Sequence, residues 1–378
     1  MAIIDYYVSD AGAGANTGAD AANALTWPQM VTQINGLGAG GGAGRRYNYA
    51  GSTARTTSTD LITVGGTAAS PLIIRGCSSL STIADGNQGR TNDNGVLVTA
   101  NFGVVTYTSG RMSVASYTIV ENLDISATSL NNFVLDVAVN SFVHHSKLAT
   151  SGTGGGSSRA VRLDGAAASL IDCDCENTCT TSAGAVLVAN SGNRLVGCRI
   201  TSTNSAAVVL ASTYSQIVGN VIYGSTTGIS FTSTAANGVT SLVYGNTIYN
   251  CSAEGILLPN AVGADDIPVV INNHIQDCGQ SLDSGYAATA DLPIWWAYNR
   301  TDNTSADDGF DDWKTASDVG NITTATVTEY VNAGAGDFNL SDGVASINAG
   351  FPKFSSMGAL QKELTAGGGP LISGRLVR

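Results

Sequence analysis

The segment from residue 119 to residue 275 repeats one short phrase seven times: IVENLDI (119–125), FVHHSKL (142–148), LIDCDC (170–175), LVGCRI (195–200), IVGNVI (217–222), LVYGNTI (242–248) and VVINNHI (269–275). Successive copies end 22 to 27 residues apart, and a near-fixed period of this size indicates a repeat architecture. The apolar alternation, rich in Val, Ile and Thr, makes each phrase a β-strand. The pattern therefore predicts stacked turns whose strands pair in parallel with their copies.

Equivalent positions of the phrase form columns through the stack. Two residues before the end of each copy, on the inward face that the last residue shares, stand Leu123, Ser146, Cys173, Cys198, Asn220, Asn246 and Asn273. Three residues after the end come small residues suited to a tight corner. A second strand follows in most turns, at 160–163, 185–188, 207–210, 228–231 and 255–258. Each turn is thus predicted to hold at least two strands.

The repeated phrase, the run of inward asparagines and both ends of the chain resemble the right-handed parallel β-helix proteins of the pectate-lyase-like kind. The ends that carry the resemblance are YYVSDAGAGANTG (6–18) with LTWPQMVTQINGL (25–37), and GDFNLSDGVASINAG (336–350) with MGALQ (357–361). The resemblance implies an all-β fold, a single-stranded right-handed parallel β-helix solenoid with an N-terminal capping helix and an irregular C-terminal region. It does not imply one activity, because this fold carries lyases, hydrolases, adhesins and viral spikes.

Composition changes along the chain suggest four segments. Residues 1–60 hold an N-terminal strand, the capping helix and a Gly-rich connection, 61–280 hold the regular turns, 281–362 close the solenoid with irregular turns, and 363–378 form a tail. The helix is expected to begin after Thr26 and to stop at Gly38, with apolar residues at helical spacing at Trp27, Met30, Val31, Ile34 and Leu37. The polar stretch 77–95 is expected to project as a loop, either a contact surface or simply solvated.

The net charge and the cysteine content limit the kinds of partner and ligand that the chain is expected to bind. The net charge of −12, with only 17 Lys and Arg, argues against binding to nucleic acid or to an anionic membrane surface. Seven cysteines cannot all pair within one chain. Their favoured interpretation is as small buried residues, with thiolate ligation of a metal by Cys173, Cys175 and Cys179, or a disulfide, as the alternatives.

Candidate catalytic residues lie on the outward positions of the repeated phrase. One residue before its end come Asp124, Lys147, Asp174, Arg199, Val221, Thr247 and His274, and three before it come Asn122, His145, Asp172, Gly197, Gly219, Gly245 and Asn272. This predicts that Asp172 and Asp174 share one strand face, about 6.5–7 Å apart, beside His145, Lys147 and Arg199. We name these five residues the charged patch.

The charged patch allows three interpretations. Paired carboxylates could divide acid and base roles in glycoside hydrolysis, or could bind Ca²⁺ beside a basic residue in lyase chemistry. Alternatively, the alternating charges are a ladder of salt bridges between turns. The glycines at 197, 219 and 245 would leave a groove for a sugar or relieve crowding.

Three tryptophans near the end of the solenoid, Trp295, Trp296 and Trp313, form a second candidate site. Aromatic rings flanked by Asp and Asn could stack on a sugar or contact a protein. They could equally plug the lower end of the solenoid.

The favoured function is that of a non-catalytic virion protein of a bacteriophage, a capsid decoration or tail-associated subunit that binds other virion proteins and in some cases bacterial surface polysaccharide. The opening MAIIDYYVSD lacks the features of an export signal, so synthesis in the host cytoplasm is expected. The alternatives are a polysaccharide lyase or glycoside hydrolase, with Ca²⁺ as the cofactor of a lyase, and a glycan-binding adhesin. A homotrimer is compatible with each, and no other metal or cofactor is expected.

Overall fold

The computed structural model describes residues 2–56, 59–81, 97, 102–128, 132–153, 155–232, 241–258, 268–283, 295–301, 322–323 and 329–341. The chain is an all-β parallel solenoid of about eight turns with one short N-terminal helix, as the repeat predicts. It divides into two compact units, the first with the described residues up to 194 and 198–205, the second with 195–197 and those from 206 onwards.

Three parallel sheets form the walls of the first unit, and each complete turn contributes one strand to each sheet. The first sheet contains β1 (Ile4–Ser9), β2 (Arg45–Ala50), β5 (Leu72–Gly76), β8 (Thr118–Glu121), β11 (Phe142–His144) and β14 (Ser169–Ile171). The second contains β3 (Ser52–Arg55), β6 (Gly103–Tyr107), β9 (Leu123–Thr128), β12 (Lys147–Ser151), β15 (Asp174–Asn177) and β18 (Arg199–Ser202). The third contains β4 (Asp60–Leu61), β7 (Met112–Val114), β10 (Phe133–Val137), β13 (Arg159–Leu163) and β16 (Val186–Val188).

The second unit repeats the three walls. Its first sheet contains β17 (Arg194–Val196), which begins on the last residue of the first unit, β20 (Gln216–Val218), β23 (Leu242–Tyr244), β26 (Val269–Ile271) and β29 (Trp295–Ala297). Its second sheet contains β21 (Val221–Tyr223), β24 (Thr247–Tyr249), β27 (His274–Gln276), β30 (Arg300–Thr301) and β31 (Ile322–Thr323). Its third contains β19 (Val208–Leu210), β22 (Ile229–Phe231), β25 (Glu254–Leu257) and β28 (Gln280–Asp283), and β32 (Tyr330–Asn332) pairs antiparallel with β33 (Asp337–Leu340).

The repeated phrase is two strands rather than one. In each copy the first two or three residues belong to the first sheet and the last belong to the second, and one residue of left-handed conformation lies between them. These corner residues are Asn122, His145, Asp172, Gly197, Gly219, Gly245 and Asn272, with φ between 47° and 66°. A third wall is therefore present where the alternation alone indicated two strands.

The core is a set of inward columns, as predicted. The last residue of each phrase is at most 2% exposed, and the residues two positions earlier are fully buried. In the second unit this earlier column is a ladder of asparagines. The Nδ2 of Asn220 donates to Oδ1 of Asn246 at 2.9 Å, Asn246 donates to Asn273 at 2.9 Å, and Asn273 donates to Asn299 at 3.0 Å. The predicted asparagine run is confirmed and extends by one turn.

In the first unit, serine and cysteine take the place of asparagine in this column. The Sγ atoms of Cys173 and Cys198 donate to the carbonyl oxygens of Val143 and Leu170, both at 3.6 Å. The seven cysteines, all within the described residues, form no disulfide, and all but Cys278 are buried. Burial raises the pKa of the Cys173 thiol well above its ordinary value, and its neighbour Cys198 adds to this. The interpretation of the cysteines as small buried residues is confirmed for the six that are buried.

The capping helix α1 spans Trp27–Asn35 and begins on a capping box in which Thr26 and Gln29 each accept from the other's backbone N–H. Gly36 caps its end, so the helix stops two residues before the expected Gly38. Trp27, Met30 and Ile34 are fully buried. The Trp27 indole donates to the buried Asp60 at 2.9 Å, which ties the helix to the solenoid wall. The helix packs against β1 and β4, the edge strands of the first and third sheets, which protects these edges from pairing with another chain.

Candidate functional site

The backbone conformation at the corner between the first and second sheets explains the residue type at two of the candidate positions. His145 and Asp172 both occupy it, with φ of 47° and 51°. Few residues adopt this left-handed conformation without strain; Gly does so freely, and Asn, Asp and His are enriched there. In the seven copies of the phrase this position contains only these four residue types, and Tyr298 takes the same conformation in the next turn, with φ of 54°. The backbone conformation gives a sufficient reason for Gly197 and its equivalents, and the sugar groove stays a prediction.

The same corner corrects the geometry predicted for the carboxylates. Asp172 lies before β15, and Asp174 is the first residue of that strand. The two do not share a strand face, so the separation of about 6.5–7 Å expected along one strand does not apply to them. The side chain of Asp172 is 42% exposed and faces His145, whose Nε2 lies 3.8 Å from its Oδ2.

The remaining charged residues of the patch form the expected column on the second sheet. Lys147 stands in register with Asp124 on one side and with Asp174 on the other, and Asp174 is in register with Arg199. Each acidic residue is thus a direct neighbour of a basic residue across a spacing of about 4.8 Å. Burial raises the pKa of Asp124, and the charge of Lys147 partly offsets this. The register of the charge ladder is confirmed.

A second group of charged residues lies on the first sheet, next to the same corner. The guanidinium of Arg75 and the Nε2 of His144 both contact the carboxylate of Glu121, the imidazole at 3.0 Å. The Nδ1 of His144 is 3.1 Å from Nδ1 of His145. Burial by itself raises the pKa of Glu121, but hydrogen bonds and charges from His144 and Arg75 outweigh it and lower the pKa.

Sequence reasoning missed the part of this group that lies on the first sheet. Glu121 and His144 were assigned no role because the phrase was treated as one strand, on which they fall outside the two outward columns. The adjacent histidines of FVHHSKL were the available signal. The structure therefore joins His145 and Asp172 to Glu121, His144 and Arg75, rather than to a pair of carboxylates on one strand.

In the second unit the outward column on the second sheet is covered. The hairpin of β32 and β33 forms an apolar cluster in which Tyr330, Ala333, Phe338 and Leu340 pack with Val221, joined by partly buried Tyr223 and Tyr249. The expectation that Val221, Thr247 and His274 face solvent is wrong, since they are 3%, 1% and 1% exposed. The closing segment of the chain supplies the covering side chains.

The covered histidine sits in a buried ionic cluster. His274 Nε2 lies 3.5 Å from Oε2 of Glu329, and Arg300 contacts the other oxygen of Glu329 at 2.7 Å. The ring of Tyr330 lies 4.6 Å from the His274 ring, centroid to centroid. Burial and then the charge of Arg300 lower the pKa of His274 to about 3. The imidazole is therefore neutral at physiological pH.

The tryptophan site is described only in part. Trp295 and Trp296 lie in β29, and the side chain of Trp296 is only 6% exposed, so it is not available as a platform for a sugar. Trp313 lies outside the described residues, as do the tail 363–378 and most of the loop 77–95. For Trp295 and Trp313 the proposed stacking role stays a prediction.

Within the residues that the structure describes, no helix is long and apolar enough to cross a membrane. No three or more His, Cys, Asp or Glu side chains in the described part of the chain are grouped as metal ligands, including Cys173, Cys175 and Cys179.

Comparisons with known proteins agree with the architecture. The family described as "Right handed beta helix region" matches residues 159–290. A solved structure of the pectate lyase Pel9A superposes with a TM-score of 0.59 at 12% identity, covering 96% of this chain and 97% of that one. A rhamnogalacturonan lyase superposes with a TM-score of 0.50 at 13% identity, covering 86% and 90%. No curated protein sequence matches the chain. At these identities the likeness is one of fold: a right-handed, pectate-lyase-like β-helix.

Proposed function

We propose that the chain is a non-catalytic structural protein, a β-helical building block that binds neighbouring subunits of a larger assembly. The setting that the sequence favours is a bacteriophage virion, with the protein as a capsid decoration or a tail-associated subunit. One observation carries the proposal: the residues that looked catalytic occupy columns in which each has a role in forming or stacking the turns.

The corner column supports this interpretation most strongly. Asp172 and His145 stand where the other copies of the phrase have Asn or Gly, and all share the same left-handed backbone. A side chain that is selected for this conformation needs no catalytic explanation. Lys147, Asp174 and Arg199 likewise continue a column of alternating charge, in which each member is adjacent to a residue of opposite sign. Such ladders hold register between turns.

Other charged residues on the sheets also form ion pairs between turns. Arg162 contacts Asp136 of the preceding turn at 2.7 Å and Asp164 at 3.2 Å, and Arg46 contacts Asp5 at 2.6 Å. The pKa of Asp5 is lowered, because its bonds to Arg46 and Asn48 outweigh the effect of burial. A general acid requires the opposite shift. The Asp5 carboxylate therefore suits a role as a permanent anion in an ion pair between strands β1 and β2.

A second function, polysaccharide lyase or glycoside hydrolase, is favoured by one specific observation. The Asp172 carboxylate faces the His145 imidazole at 3.8 Å, and both residues come two positions before the column that holds Lys147. In a lyase, Asp172 would orient His145 as the base that abstracts a proton, while Lys147 and Arg199 would neutralise the carboxylate of a uronate. The fold shared with a pectate lyase and a rhamnogalacturonan lyase is compatible with this chemistry.

Mass spectrometry of particles purified from the source tests the structural proposal. We expect the chain in intact virions, at a copy number that matches shell subunits or a small multiple that matches a tail. Particles that lack the chain, together with its recovery as a free protein that cleaves polysaccharide, would refute the proposal and favour the enzyme. Dissociated particles that release it bound to another virion protein would identify the partner.

A further inference from the structure

The facing rings of His144 and His145 have an unusual arrangement. Their Nδ1 atoms are 3.1 Å apart, the ring centroids are 5.1 Å apart, and the ring planes meet at 83°. His144 ends β11 on the first sheet, whereas His145 is the left-handed corner residue that follows it. The turn in the backbone thus directs two consecutive side chains at each other, which a continuous strand would send to opposite faces.

Carboxylates lie at the far side of both rings. The Nε2 of His144 is 3.0 Å from Oε2 of Glu121, and the Nε2 of His145 is 3.8 Å from Oδ2 of Asp172. An ionised carboxylate only accepts hydrogen bonds, so Glu121 favours the tautomer of His144 that carries its proton on Nε2. The 3.8 Å separation is too long for a hydrogen bond, so Asp172 acts on His145 through its charge. The Nδ1 of His144 thus presents a lone pair to Nδ1 of His145, and either a proton or a metal ion can lie between the two nitrogens.

We propose that His144 and His145 bind one divalent transition-metal ion through their Nδ1 atoms, an ion of the class that imidazole ligates well, such as Cu²⁺, Ni²⁺ or Zn²⁺. With metal–nitrogen bonds of about 2.05 Å, nitrogens 3.1 Å apart subtend about 98° at the metal. That angle lies between those of square-planar and tetrahedral coordination. Water or a partner molecule completes the shell, since the described residues offer no third side-chain ligand.

The surroundings favour a cation at this position. Histidine ligands in metal sites usually donate their other nitrogen to a carboxylate, which fixes the ring and raises its basicity. The Nε2 of His144 lies at hydrogen-bond distance from Glu121 in this way, and the negative charge of Asp172 lies 3.8 Å from Nε2 of His145. Glu121 is held from its other side by Arg75. The two imidazoles are 26% and 20% exposed and Asp172 is 42% exposed, so an ion can reach the site from solvent. A single proton shared between the rings is the competitor.

The corner conformation supplies matched variants for the test. Asn occupies the position of His145 and Asp172 in other turns, at Asn122 and Asn272, so His145→Asn and Asp172→Asn keep the backbone while removing a ligand or a carboxylate. The chain has three histidines, and the third, His274, is 1% exposed. Binding by a tag-free chain that depends on histidine is therefore attributable to the pair. His144→Gln is a second ligand variant.

The experiment is titration of the purified, tag-free chain with Ni²⁺ by calorimetry and with Cu²⁺ by electron paramagnetic resonance. We expect one ion per chain and Cu²⁺ hyperfine structure from two nitrogens. His145→Asn and His144→Gln should each weaken binding more than about tenfold, and Asp172→Asn about tenfold. All variants retain the seven cysteines, so thiol binding cancels in the comparison. No binding by the wild-type chain, or equal binding by folded His145→Asn, would overturn the proposal.

Discussion

Replacing Asn246 by Ala should destabilise the second unit far more than a comparable change in the same column of the first unit destabilises the first. Asn246 is fully buried and its side chain makes four hydrogen bonds. Its Nδ2 donates to the carbonyl of Ile217 at 2.8 Å and to Oδ1 of Asn273 at 2.9 Å. Its Oδ1 accepts from the backbone N–H and from the Nδ2 of Asn220, both at 2.9 Å.

The size of the effect follows from these bonds. Each hydrogen bond contributes about 1 kcal/mol to stability, and buried partners that lose one are penalised further. Four lost bonds give about 4 kcal/mol. Because Asn246 is bonded to the asparagines above and below, the loss falls on three consecutive turns and reaches both neighbours of the ladder.

Cys198→Ala is the matched control, since Cys198 occupies the same inward column in the first unit and is also fully buried. The hydrogen bond that it donates to Leu170 is a long thiol bond of 3.6 Å, so we expect a loss of about 1 kcal/mol. Denaturant unfolding followed by far-ultraviolet circular dichroism measures both losses. Hydrogen exchange then locates the weakened turns. Equal destabilisation by the two variants would refute the account of the ladder.

Three further predictions concern a covered histidine, a close backbone contact and a corner. As pH falls from about 6.5 towards the pKa of His274 of about 3, the unfolded state takes up a proton that the folded state does not. The free energy of unfolding therefore decreases, by about 2–3 kcal/mol at pH 4.5. The melting temperature of His274→Gln should depend less steeply on pH, and an unchanged slope would contradict the burial of this imidazole. Gly76→Ala should lower the free energy of unfolding by about 3 kcal/mol or more, because a Cβ there would lie 1.8 Å from the carbonyl oxygen of Asn122. A variant with the melting temperature of the wild-type chain would disprove that close contact. Asp172→Asn should leave the melting temperature nearly unchanged, whereas Asp172→Ala should lower the free energy of unfolding by about 1 kcal/mol. Equal stability of the two variants would argue that the left-handed backbone is not why Asp stands at position 172.

The solenoid could be predicted from sequence because its repeat leaves a strong periodic signal. Inward residues recur once per turn, so Ile200, Ile222 and Ile248 mark the core, and stacked asparagines satisfy one another's hydrogen bonds only in a regular stack. The N-terminal helix could be predicted for a local reason, the capping box at Thr26 and Gln29. Both signals lie in short stretches of the chain.

The division of the phrase into two strands was not recovered, because a left-handed residue between strands leaves the alternation of inward residues intact. Leu123 and Ile125 are both inward, whichever way the phrase is divided. In the seven copies of the phrase, the position between the two strands is always Asn, His, Asp or Gly, and this restriction indicates a corner, since these residues tolerate positive φ. The sequence pattern alone indicated an outward strand face with charged residues and glycines at this position.

The covered face of the second unit depends on residues far apart in sequence. Tyr330 and Phe338 belong to a hairpin without the solenoid's period, and they pack against Tyr249 across the wall. The outward aromatic residues Tyr223 and Tyr249 were the local signal, because a sheet face that meets solvent favours polar side chains. Nothing in the repeat itself indicates which later segment covers them.

The most direct test of the central claim, that the charged residues stack turns rather than catalyse, is a product assay on the purified chain. Acidic and neutral bacterial polysaccharides would be incubated with it, with and without Ca²⁺, and reducing ends and the absorbance of unsaturated products would be measured. The same assay would be run on a folded Asp172→Asn/Lys147→Gln variant. We predict no turnover by the wild-type chain on any substrate. Turnover that the double variant loses would contradict the account and make the corner beside His145 an active site.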